Sequence, residues 1–398
     1  MQVKNMSNNH NLDHCLKCSI CHTQCPVVMN YPAFPGPKQL GPELERLRLA
    51  RGEGEVLEID NILSYCTNCK RCDASCPHGV KPSYYNLKNK ERLRLHPSEQ
   101  LRNWILAHNV WWGKMATVIP GFSNFALQFP LTKFGMGLFG IANRNLPAYK
   151  KQTLKIKKEE KNKKALYYPG CFASFNEPEI IQSTVNILEA CDYQVEIAPA
   201  DCCGTPMVTN ALFNETKEVA KKNIKIFLPY IEKGYKVITT CSSCGLALKQ
   251  EYKDLLADED CEKLAKNVWD LFELLEEEGP LPFDGKKKKI EKAFYHVPCH
   301  LKAQGAGIPA ANILRDFAVE DLTVEDSFCC GIAGTYGFKK EKHNLSLEIG
   351  SSLFKAIKES SASLVLTDCG TCKVQIVDGT GINVKHPAVL LSDFISGQ

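Results

Sequence analysis

The sequence predicts an α+β multidomain protein: a mostly helical N-terminal part followed by two repeated α/β units. Three observations predict it. Two four-cysteine runs of one spacing, Cys15 to Cys25 and Cys66 to Cys76, are each followed by a stretch that reads as a short helix. Further on, a set of five cysteines occurs twice in one order. It runs Cys171, Cys202-Cys203-Gly204, Cys241-x-x-Cys244, and then Cys299, Cys329-Cys330-Gly331, Cys369-x-x-Cys372. The intervening gaps are 30 and 37 residues in the first set and 29 and 38 in the second, as expected of a duplicated unit. Around both sets, short β-branched and aromatic runs alternate with helical patterns, the signature of an α/β sheet.

The elements are expected in this order. Gly41 to Arg51 reads as a short charged helix starting behind Pro42, and Ser83 to Leu95 as another that Pro97 stops. Leu101, Trp104, Ile105, His108, Trp111 or Trp112 and Met115 continue at helical spacing, until Pro120, Gly121 and Pro130 break the pattern. Lys150 to Lys164 is a charged linker. In the first unit, Ala165 to Tyr168, Gln194 to Ile197 and Lys236 to Thr240 read as strands, and Glu179 to Ala190 and Lys217 to Leu228 as helices. Asp284 to Lys292 separates it from the second unit, where Ala293 to Val297 and Leu364 to Thr367 read as strands and Asn344 to Glu359 as a helix. The expected domains are therefore 1–97, 98–164, 165–283 and 292–398.

Composition narrows the class. With 398 residues, 44% hydrophobic and 24% charged, the chain can bury several cores. A net charge of only +4 argues against a nucleic-acid partner. The twenty cysteines dominate. Secreted disulfide scaffolds are usually short and follow an apolar leader, whereas Met1 to Asp13 is polar. Cysteines two residues apart converge on a metal more readily than they pair over long loops.

Cys15-x-x-Cys18-x-x-Cys21-x-x-x-Cys25-Pro26 is the bacterial ferredoxin run, and Cys66-x-x-Cys69-x-x-Cys72-x-x-x-Cys76-Pro77 repeats it. Three closely spaced thiolates wrap one corner of a cubane, and the fourth, beside proline, reaches the other cluster. One [4Fe–4S] site is thus expected from Cys15, Cys18, Cys21 and Cys76, and the other from Cys66, Cys69, Cys72 and Cys25. Tetrahedral zinc would need neither the third cysteine nor the proline. In the five-cysteine sets, adjacent cysteines on an extended chain point in opposite directions and can bridge two metal atoms. Thiolate chemistry alone leaves iron–sulfur clusters, structural zinc or a redox-active dithiol open there.

The Cys-Cys-Gly sets resemble the cysteine-rich (CCG) domains of heterodisulfide reductase, glycolate oxidase iron–sulfur subunits and lactate-utilisation proteins. The resemblance narrows over Tyr31-Pro32-Ala33-Phe34-Pro35-Gly36-Pro37-Lys38-Gln39 with Glu45 to Leu49, Cys329 to Glu341, and Thr367 to Lys373. These segments are similar to the iron–sulfur subunit family of anaerobic glycerol-3-phosphate dehydrogenases. The fold it implies is a mostly helical two-cluster ferredoxin domain followed by two α/β CCG domains. It also implies a non-catalytic or partly catalytic subunit, with no catalytic residue assigned. Beyond the two cubanes, it implies one or two further iron–sulfur clusters, held by Cys171, Cys202, Cys203, Cys241 and Cys244 and by Cys299, Cys329, Cys330, Cys369 and Cys372. Some family members lack a cysteine in the first set; here the set is complete, so three or four clusters remain open. The implied partners are flavoprotein dehydrogenase subunits, a quinone of the menaquinone type and the inner-membrane surface, with the chain peripheral on its cytoplasmic face. Glycolate or lactate oxidation, and disulfide reduction of the heterodisulfide reductase type, are the rival activities.

Other features are plainer. Cys191 and Cys261 fall outside every set and read as packed thiols. His296 and His300 flank Cys299, but with five cysteines in the set thiolates are the expected ligands. Gln100 to Lys158 contains no Asp or Glu, nine Lys or Arg and three of the four Trp. Its charge-free run Met115 to Thr132 holds two prolines, a poor spanning helix. It suits either a membrane interface or packing against a partner or the CCG domains. Gly135-x-Gly137-x-x-Gly140 has the letters of a dinucleotide fingerprint but neither its preceding strand nor its acidic residue, so no flavin is expected in the chain itself.

Overall fold

The computed structural model describes residues 12–51, 58–93, 95–157, 159–283 and 289–396. The mixed α/β architecture follows the expectation, and none of the twenty cysteines forms a disulfide.

Each repeat is built on a four-stranded parallel sheet. The first comprises β1 (Lys163–Tyr168), β2 (Tyr193–Ile197), β3 (Lys236–Thr239) and β4 (Val268–Asp270), in the order β2-β1-β3-β4. The second comprises β5 (Ile290–His296), β6 (Val319–Glu325), β7 (Leu364–Leu366) and β8 (Asn383–Lys385), in the order β6-β5-β7-β8. The strands β4, β6 and β8 carry weak sequence signals: two are three residues long, and β6 (VEDLTVE) is rich in acidic residues.

Strand alternation splits the core in two directions. Tyr167 of β1 and Tyr295 of β5 enter one core shared by both repeats, with Val185, Leu188, Leu275, Leu314 and Leu391. Leu166 and Tyr168 enter the first repeat's own core, with Phe227, Val237 and Tyr252. Phe294 enters the second repeat's own core, with Leu353, Val365 and Ile376. Helix Pro178–Ala190 packs on Pro387–Ser396, and Leu271–Glu277 on Pro309–Phe317, so each repeat is covered partly by the other. Residues 150–157 of the link run along Pro178–Ala190, where the Lys155 backbone exchanges hydrogen bonds with Gln182 at 2.9 and 3.0 Å.

Three proline expectations are corrected. Pro97 starts a helix, Pro97–Ala107, after Pro82–Lys90 has already ended. Pro120 and Pro130 likewise open Pro120–Gln128 and Pro130–Leu138. Proline at the first helical position loses only an N–H that would be unpaired anyway, so it initiates rather than breaks. The helical pattern 101–115 is two helices, Pro97–Ala107 and Asn109–Ala116, parted at His108. Finally, Pro42 lies inside a wide turn, Gln39–Glu43, that leads into helix Leu44–Arg51.

Candidate metal centre

In the ferredoxin part, backbone conformation gathers the thiols. Lys17 and Ser19 have φ of 59° and 68°, and Asn68 and Lys70, at the same places in the second run, have 52° and 62°. These left-handed residues curl each C-x-x-C-x-x-C loop back on itself, at a cost L-residues accept only where the surroundings hold them. Cys15, Cys18, Cys21 and Cys76 line one cavity, and Cys25, Cys66, Cys69 and Cys72 another. The crossed grouping therefore matches the spacing argument. Burial, then the neighbouring Cys15, Cys18 and Cys76, pushes the Cys21 thiol up to about 11. Burial, then Cys69, pushes Cys25 up to about 12. Thiols that converge on a void and resist ionisation without a cation fit a cluster whose irons would accept the thiolates.

In each repeat the five cysteines come from the carboxyl ends of three strands, where open parallel sheets place ligands. Cys171, Cys202-Cys203 and Cys241 follow β1, β2 and β3, and Cys299, Cys329-Cys330 and Cys369 follow β5, β6 and β7. The sets do close. Ionisation of Cys171 is opposed first by burial and then by Cys203 and Cys241. Cys203 and Cys241 are hydrogen-bonding neighbours of Cys244, and Cys203 of Cys202. Cys330 Sγ lies 3.3 Å from Cys372 Sγ, and Cys299 faces Cys330 and Cys369. Such donor sets fit iron–sulfur ligation as well as the cubane sites do.

The four sets are not isolated. Cys69, of the second cubane set, is among the thiols that oppose ionisation of both Cys299 and Cys329. Cys329 also packs in an apolar cluster with Val27, Phe34, Leu40 and Leu63. The loop carrying Cys69 is clamped: Asn68 donates to Glu251 at 3.2 Å, and buried Lys70 pairs with Glu251 at 3.7 Å. Burial presses the Lys70 ammonium down, but Glu251, Asp73 and Asp254 hold it above its ordinary value. His300, beside Cys299, ties three parts together. Its Nε2 donates to the Asn68 carbonyl at 3.1 Å, which leaves Nδ1 to accept from the Ser243 hydroxyl at 2.9 Å. The two five-cysteine sets also meet: the Ser242 N–H donates to the Asp368 carbonyl at 3.3 Å.

Sequence patterns gave every one of these cysteines but missed their surroundings. Asn109 donates to Cys171 Sγ at 3.2 Å from a helix more than sixty residues away, and nothing local to it signals that role. His296 is buried against Cys330 and Cys372. Cys191 and Cys261 are buried, as expected of packed thiols.

Family comparison agrees with this division. The 4Fe-4S dicluster domain model matches residues 11–80, and the cysteine-rich domain model matches residues 165–249 and 293–377. One subunit of the anaerobic glycerol-3-phosphate dehydrogenase of Escherichia coli (strain K12) is 34% identical over 98% of this chain and 100% of its own length. The chain belongs to the family of that subunit. The glycolate oxidase iron-sulfur subunit of the same strain is 26% identical, covering 94% of this chain and 91% of that one. One fumarate reductase (CoM/CoB) subunit of Methanothermobacter marburgensis is 23% identical, covering 92% and 67%. This member of the glycerol-3-phosphate dehydrogenase iron–sulfur subunit family is thus a protein of oxidoreductase type, with one dicluster domain and two CCG domains.

Proposed function

We propose that the chain is the electron-transfer subunit of an anaerobic glycerol-3-phosphate dehydrogenase. A flavoprotein partner would oxidise sn-glycerol 3-phosphate to dihydroxyacetone phosphate, and the chain would carry the electrons to a menaquinone-type quinone. The alcohol gives up two electrons and two protons, and the quinone takes up two of each. Two [4Fe–4S] clusters and one further cluster in each CCG set supply one-electron carriers. The ligands would be the cysteines grouped above.

The observation that supports this reading is that the second cubane set packs against the second CCG set: Cys25 and Cys66 pack on the apolar cluster that holds Cys329, and His300, next to Cys299, bonds the Asn68 carbonyl in the loop that carries Cys69. In that arrangement the second CCG set receives from the cubane side. The first set, whose Cys171 is covered by Asn109, lies toward the helices that follow. Those helices suggest the membrane contact. Phe122, Phe125, Leu131, Phe134 and Leu138 on Pro120–Gln128 and Pro130–Leu138 are all exposed. Among the described residues, no helix is long and apolar enough to cross a membrane. Short aromatic helices in an acid-free, basic segment suit the interface of an anionic bilayer, with the chain peripheral on its cytoplasmic side. Replacing Phe125 and Phe134 by Glu should abolish flotation with phosphatidylglycerol vesicles while leaving cluster absorbance unchanged. Unaltered flotation would move these helices to a protein partner.

The substrate is tested by purifying the chain anaerobically with its native partners and recording its iron–sulfur absorbance. Bleaching by glycerol 3-phosphate, and not by glycolate or lactate, is expected. Bleaching by another of these acids would keep the relay and replace the substrate. Bleaching by dithionite alone would withdraw the dehydrogenase reading and point to disulfide reduction.

A further inference from the structure

Three histidines lie near the junction of the CCG repeats, His296 and His386 buried and His300 half-buried, and two of the three are fully engaged. His300 uses both ring nitrogens, on Asn68 and Ser243. His386 donates from Nε2 to the Thr240 carbonyl at 2.9 Å and accepts at Nδ1 from the Ala388 N–H at 3.0 Å. His296 differs. It is 1% exposed, and neither ring nitrogen finds an oxygen or nitrogen partner. An imidazole buried without an oxygen or nitrogen partner is costly, and what this ring meets instead is the sulfur of Cys330, with Cys372 beside it. One nitrogen of His296 lies with Cys330 Sγ and Cys372 Sγ inside a 4.8 Å triangle of potential donors.

The duplication gives an internal control. His296 ends β5 three residues before Cys299, and Tyr168 ends β1 three residues before Cys171. The two positions correspond, and both side chains lie beside their cysteine sets. Tyr168 is also fully buried, but its hydroxyl reaches the Asp201 carbonyl at 3.4 Å. The fold can therefore satisfy a polar group at this place with its own backbone. At His296 it does not.

We propose that His296 is a nitrogen ligand of the second CCG site, which makes that site a mixed thiolate–imidazole centre beside a first site of thiolates alone. Imidazole is an accepted ligand for iron in protein clusters, where it alters the charge and potential of the centre. Cys330 and Cys372 lie beside His296, and Cys299 faces Cys69 as well as Cys330. This inference rests on the reading that the second set holds an iron–sulfur cluster.

Pulsed electron paramagnetic resonance on the full chain tests it without reference to turnover. A Cys203→Ser background removes the first site's signal. Protein grown with ordinary and with 15N-labelled histidine is then compared with the second site in its paramagnetic state. The expected result is a nitrogen coupling of the size of a bound imidazole, which changes with the label and vanishes in His296→Phe at unchanged iron content. Should His296→Phe not fold, His300→Gln and His386→Gln make the assignment, because a coupling from His296 survives both. An iron-loaded second site whose signal ignores the label, or shows only the weak coupling of a hydrogen-bonded ring, overturns the ligation and leaves the relay standing. A second site without iron overturns both.

Discussion

The two CCG repeats share a strand order, a cysteine set and a glycine turn after the paired cysteines, yet each meets different neighbours. In the first, Cys171 is covered by Asn109 from the aromatic helices, and Tyr168 stands beside the set. In the second, Cys299 faces Cys69 of the ferredoxin loop, and His296 stands in the place of Tyr168. Duplication thus produced two sites of one topology, one turned toward the cubanes and one toward the helices proposed to rest on the membrane. The difference teaches that ligand spacing fixes the chemistry of a site, while its place in a relay is set by whatever packs over it.

The largest contrast expected in stability lies at the glycines after the paired cysteines. Gly204 and Gly331 both adopt left-handed φ, 88° and 84°. A Cβ on Gly331 would lie 2.0 Å from the Ser346 carbonyl oxygen, whereas one on Gly204 would lie 3.1 Å from Cγ2 of Thr216. Backbone cannot give way as a methyl can. Gly331→Ala should therefore cost about 3 kcal/mol or more, and Gly204→Ala about 1–2 kcal/mol. Thermal unfolding of the two variants checks this; equal losses would erase the asymmetry.

Next comes His300, which joins both repeats to the ferredoxin loop. His300→Ala leaves the Asn68 carbonyl and the Ser243 hydroxyl without their partner, a loss of about 2 kcal/mol. It should also loosen the loop that presents Cys69. Limited proteolysis reads this as earlier cleavage between the ferredoxin part and the repeats. Unchanged melting and cleavage would show that the Glu251 clamp and the apolar contacts of Cys329 hold the junction without His300.

The smallest contrast sits behind the sets. Tyr167 and Tyr295 are equivalent, but Tyr167 meets the Thr240 hydroxyl at 2.8 Å and Tyr295 donates to the Asp368 carboxyl. Burial, then nearby Asp270, pushes the Asp368 carboxyl well above its usual range. The Thr240 hydroxyl can turn to another acceptor; the buried carboxyl oxygen cannot. Tyr295→Phe should cost about 1–2 kcal/mol and Tyr167→Phe about half of that, read by denaturant titration.

Much of this was legible in the sequence, and the limits have physical causes. The eight ferredoxin cysteines and their crossed grouping follow from spacing and from the proline after each fourth cysteine, while the ten cysteines of the repeated sets stand out by the repeat and take their ligand role from the family resemblance. The strands β1, β3, β5 and β7 could be read because they are buried on both faces and so form continuous apolar runs. The short β4 and β8 and the acidic β6 could not. Pro97, Pro120 and Pro130 misled because proline marks a helix start as readily as a stop, and only the helix beyond it decides. His296 resembled any histidine beside a cysteine. What distinguishes it is the absence of an oxygen or nitrogen partner in a buried place, a property of the fold rather than of neighbours in sequence.

The proposed electron path runs from the cubanes to the second CCG set, then to the first CCG set and on to the quinone. It is tested most directly by adding glycerol 3-phosphate to the anaerobic complex in menaquinone-bearing membranes and following the cluster signals and quinol formation in Cys203→Ser and Cys330→Ser. Cys203→Ser should still show reduction of the second site but make quinol at least tenfold more slowly, and Cys330→Ser should leave the first site oxidised. A first site reduced at the wild-type rate in Cys330→Ser would contradict this path.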